Sequence, residues 1–121
     1  MGKYVSWIEH RGQRILYSDY SGLKGSDYEA AVDETLAELT KLPDGITAPS
    51  ITNIKGTAMT PRTAAKGREV AALVKKKRLK GPTVVVGASG LAASVIGLMQ
   101  VDIHLAKTLE EAKEWIVENP Q

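Results

Sequence analysis

Apolar positions in this chain fall into short runs whose spacing switches between alternation and helical period, with glycine or proline between most of them. Tyr4, Val5, Trp7 and Ile8 precede Arg11-Gly12, and Ile15, Leu16 and Tyr17 follow it, so two β-rich runs around a glycine turn predict a hairpin. Ser26-Asp27-Tyr28-Glu29 has the spacing of a capping box. It opens a predicted helix with Val32, Leu36 and Leu39 on one face, Asp33, Glu34 and Glu38 on another, and an end near Leu42. Proline at position 49 delays the next strand to Ser50-Ile51-Thr52-Asn53-Ile54. Thr60-Pro61 then predicts a capped helix running to about Lys77.

Thr83-Val84-Val85-Val86 is a continuous β-branched run of the kind buried on both faces, and is read as the central strand. Gly87-Ala88-Ser89-Gly90 turns into an apolar segment rich in alanine, residues 91–99, read as a buried helix. Val101, Ile103 and Leu105 alternate with Asp102 and His104 as a last strand. Thr108-Leu109-Glu110-Glu111 forms a second capping box before the stripe Leu109, Ala112, Ile116. The predicted order is ββαβαβαβα: an α/β fold, a mostly parallel mixed sheet with an N-terminal antiparallel hairpin. The 121 residues suit a single domain, 1–121.

Composition changes the picture mainly by exclusion. The chain is 43% hydrophobic and 25% charged, close to soluble globular averages. The absence of cysteine removes disulfides, thiolate metal sites and a cysteine nucleophile. His10 and His104 are the only imidazoles, and no metal site or cofactor is expected. The longest apolar stretch, 90–99, is about half the ~20 residues a membrane span needs, and no signal peptide precedes it, so a cytoplasmic location is expected.

Four segments carry a resemblance. Arg14-Ile15-Leu16-Tyr17-Ser18-Asp19-Tyr20-Ser21-Gly22-Leu23, Gly56-Thr57-Ala58-Met59-Thr60-Pro61, Val84-Val85-Val86-Gly87-Ala88-Ser89-Gly90-Leu91 and Thr108-Leu109-Glu110-Glu111-Ala112-Lys113-Glu114-Trp115-Ile116 together resemble the small bacterial SpoIIAA-like (STAS/SEC14-like) proteins. The resemblance implies the STAS-type fold and a non-catalytic role in binding or signalling. Its better-known relatives carry Asp-Ser-Ser-Gly-Leu, with a phosphorylated serine, at the start of the helix after strand three. This chain has Met59-Thr60-Pro61-Arg62-Thr63 there, leaving Thr60 and Thr63 as the candidate phosphate acceptors beside their plainer reading as helix-start polar residues.

Thr57, Thr60, Arg62, Thr63, Gly87, Ser89 and Gly90 are therefore the expected site for a ligand or protein partner, at the helix starts after strands three and four. A dinucleotide fingerprint fails because Ser89 stands where a glycine is needed, and a nucleophile elbow fails because Leu91 replaces its second glycine, so no catalytic role is expected. Lys75, Lys76, Lys77, Arg78 and Lys80 form a basic patch in a segment, 62–80, whose one acidic residue is Glu69. It suits an anionic lipid, an acidic protein or simply a solvated helix end; nucleic acid is disfavoured, since no aromatic residue is interleaved. Asp19 and Ser21 are read as turn residues, His104 as a surface residue paired with Asp102, and Trp115 or Tyr20 as anchors of a possible homodimer. The alternative to a protein-contact module is a carrier of a small apolar or anionic ligand.

Overall fold

A computed structural model describes residues 3–57, 60–88 and 103–119. Strands β1 (Val5–His10) and β2 (Gln13–Asp19) form the expected antiparallel hairpin, with His10 opposite Gln13. Arg11 and Gly12 both have positive φ, 50° and 81°, which is the geometry of a type I′ turn and matches the twist of the flanking strands. Helix α1 (Gly25–Thr40) begins one residue before the expected capping serine. Lys24 takes the cap position without a side-chain bond, and Gly25, with φ of 52°, supplies the bend. Ser26 thus lies within the first turn, and the first capping box is not formed. On α1 the buried residues are Tyr28, Ala31, Val32, Thr35 and Leu39.

Strand β3 (Ser50–Asn53) starts after Pro49 as its proline requires. Helix α2 (Pro61–Lys76) follows, then β4 (Thr83–Val86), β5 (Ile103–Ala106) and α3 (Leu109–Glu118). The expected helix over 91–99 lies outside the described residues. The sheet has five strands in the order β1-β2-β3-β4-β5, antiparallel at β1/β2 and parallel elsewhere. The chain is thus α/β with a mixed sheet. β3 is the middle strand, and the valine run of β4 sits beside it, buried on both faces between β3 and β5.

The connections β2-α1-β3 and β3-α2-β4 advance in the same direction, so right-handed crossovers place α1 and α2 on one face of the sheet. α3 packs on the other. There Ile15, Ile51, Val84, Val86 and Ala106 bury against Ala112 and Ile116. The α1/α2 face differs in chemistry. It carries Leu16, Ser18, Ser50, Thr52, Thr83 and Val85, packed under Val32, Leu39, Val70 and Val74. Tyr20 is buried within this layer and forms an edge contact with Tyr28, which removes it as a dimer anchor. No helix among the described residues is long and apolar enough to cross a membrane.

Candidate functional site

Parallel pairing of β3 with β4 brings the loops that follow them to the same edge of the sheet. The backbone amide of Ile54 donates to Val86, that of Tyr20 to Asn53, and that of Gly22 to Lys55, so the loops after β2, β3 and β4 are tied side by side. Thr57 donates its hydroxyl to the Tyr20 carbonyl at 2.6 Å and serves as a staple between two of them. Asp19 accepts from both the amide and the hydroxyl of Ser21, forming the expected turn. Gly87, with φ of 82°, has its open side filled by the protein itself: a Cβ there would lie 2.7 Å from Lys55 Cβ. Ser89 and Gly90 lie outside the described residues.

Thr60 and Thr63 cap α2 reciprocally, the Thr63 amide donating to Thr60 Oγ1 and the Thr60 amide to Thr63 Oγ1. Thr63 is only 3% exposed, whereas Thr60 faces solvent. Arg62 lies across the neighbouring helix from Glu29, with Nε 3.0 Å from its carboxylate. Because the order of the described strands never reverses, they form no switch point of the kind at which open α/β folds usually open a ligand crevice.

The basic patch lies at the opposite end of α2. Lys77 pairs with Asp44 at 3.3 Å, while Lys75, Lys76, Arg78 and Lys80 make no ion pair among the described residues. Arg78 adopts a left-handed conformation, φ 54°, at the helix end. Its amide donates to Lys75 and that of Leu79 to Val74, closing a Schellman motif.

A partly open cavity lies elsewhere, between the sheet and the two helices above it. A chamber of about 130 Å³ is walled on the helix side by Ala64, Gly67, Val70, Ala71 and Val74, and floored by Ser18, Ser50, Thr52, Thr83 and Val85. It exists because small residues face small residues. A parallel sheet is usually covered with valine, isoleucine or leucine, but here Ser18 of β2, Ser50 and Thr52 of β3 and Thr83 of β4 put hydroxyls on this face, while α2 offers alanine and glycine above them. At the β2 end, Thr35 Oγ1 lies 2.9 Å from Ser18 Oγ and 2.5 Å from the Tyr20 hydroxyl. Burial pushes the Tyr20 phenol up to about 12, against the lowering effect of its hydrogen bonds to Thr35 and Ser18.

Ser18, Thr35 and Thr52 are absent from the sequence-based site. Their signal is the hydroxyl pattern of β2, β3 and β4, which becomes a single surface only once the pairings of Ser18 with Thr52 and of Ser50 with Thr83 are known. His104 faces the α3 side of the sheet and stacks on Trp115, ring centres 4.2 Å apart; its expected partner Asp102 lies outside the described residues. Trp115 is thereby part-buried inside the chain. No protein-family model, no curated protein and no solved structure matches this chain, and the likeness to SpoIIAA-like proteins rests on its sequence segments alone.

Proposed function

We propose that this protein is a non-catalytic binding module that holds a small, largely apolar molecule between its sheet and α1/α2. The observation that carries the reading is the chamber itself, about 130 Å³ and lined by side chains of which none, among the described residues, is charged. A dry apolar cavity of ~150 Å³ holds benzene, so the volume suits a single ring or a short aliphatic chain and is far too small for a two-chain lipid. Between the two ligand types expected of a carrier, the uncharged lining favours the apolar one, because an ion moved there would lose its hydration without a counter-charge.

Toluene titrated into isotope-labelled protein tests this directly. Saturable amide shifts are expected around Ser18, Thr52 and Val70, and Ala71→Leu, which fills the space from the helix side, is expected to abolish them. Binding that is absent, or that survives Ala71→Leu undiminished, overturns the proposal.

The loops at the carboxyl edge favour a second reading. Thr57 and Gly87 belong to loops tied together at that edge, and Thr60 and Arg62 are exposed at the start of α2, a surface that would suit a protein partner of a STAS-like regulatory module. Arg62→Glu is expected to release such a partner, while leaving toluene binding intact.

A further inference from the structure

The hydroxyls at the β2 end of the chamber specify more than polarity. Three hydrogen bonds run through Thr35: one shared with Ser18 at 2.9 Å, one shared with Tyr20 at 2.5 Å, and one donated to the Ala31 carbonyl at 3.4 Å. Tyr20 also bonds Ser18, so the three hydroxyls face one another and the Ala31 carbonyl, and each of their three protons has an acceptor inside the cluster. With those protons engaged within the cluster, what Ser18 and Tyr20 can offer a molecule in the chamber that both line is their oxygen lone pairs. Thr52, directly across from Ser18 on β3, is the complement: its hydroxyl has no hydrogen-bond partner among the described residues and retains a proton to donate.

Resting on the chamber reading above, we infer that the site selects a neutral ligand carrying a hydroxyl group, which donates to Ser18 or Tyr20 and accepts from Thr52. A carboxylate would meet two oxygens whose protons are already engaged within the cluster, in a lining where no described residue carries a charge to balance it. An ether would satisfy Thr52 alone, and a hydrocarbon would leave all three groups as they are. The resistance of Tyr20 to ionisation agrees with a surrounding that excludes anions.

Four probes of similar size separate these cases: phenol, anisole, toluene and benzoate, each titrated into the full chain and followed by amide shifts. Phenol is expected to bind about three- to tenfold more tightly than anisole, the effect of one donated hydrogen bond, and benzoate is expected not to bind. Tyr20→Phe and Ser18→Ala are each expected to weaken phenol severalfold while toluene stays within about twofold. The comparison of phenol with anisole in the unaltered protein decides the matter even where a variant fails to fold. Toluene binding accompanied by equal phenol and anisole affinities, or by benzoate binding, overturns the inference and leaves the chamber reading standing. Failure of all four probes overturns both.

Discussion

Gly87 shows how one position acquires meaning only from its neighbours. In sequence it belongs to a glycine turn after a buried strand, the usual place for a ligand to approach a backbone; in the fold, that approach is made by Lys55. Gly87→Ala places a methyl 2.7 Å from Lys55 Cβ on a backbone of φ 82°, and a loss of about 2–4 kcal/mol is expected in urea denaturation. A loss below about 0.5 kcal/mol would show that the loop yields easily. Tyr20 carries a pH signature. Its phenol titrates near 12 when folded and near 10 in its unperturbed state, so the folded state keeps a proton that the unfolded chain releases. Stability is therefore whole below pH 10 and falls as pH rises toward 12, by up to ~3 kcal/mol from this group. Denaturation midpoints measured at pH 9 and pH 11.5 should show a fall that is shallower in Tyr20→Phe. A slope equal to that of the unaltered protein would place the alkaline sensitivity elsewhere.

Element boundaries follow how local their causes are. The start of α2 was readable because Thr60 and Pro61 act on the adjacent backbone alone, and Thr60→Ala is expected to cost about 1 kcal/mol, read as a lowered thermal midpoint. The start of α1 was misread because Ser26 offered the right side chain at the right spacing, while Gly25 made the bend one residue earlier. The end of α2 lies within a residue of its expected place, but its motif is hidden in the sequence, since Arg78 occupies a left-handed position where glycine is usual. Arg78→Gly is expected to raise stability by about 0.5–1 kcal/mol, removing strain while leaving the Leu79 to Val74 bond in place. An unchanged or lowered midpoint would mean that the arginine side chain contributes more than its backbone costs.

At the scale of the whole molecule, alternation along single strands revealed buried faces, but only pairing revealed that the two faces differ. One is an apolar seam of Ile15, Ile51, Val84 and Ile116, and Ile116→Ala is expected to cost about 2–5 kcal/mol, measured by denaturant unfolding. The other carries the hydroxyls from which the chamber is built, and no single run of sequence contains them. The acidic residues of α1 proved equally dispersed in role. Glu29 and Asp33 pair with Arg62 and Lys66 of α2, whereas Glu34 accepts from the Tyr4 amide and Glu38 from the Trp7 indole. The unbroken progression of the sheet also bears on how the molecule is made. Each strand pairs with the one synthesised just before it, so as the chain leaves the ribosome every new strand meets a template already in place, and β5 with its exposed Leu105 completes the growth at the last edge.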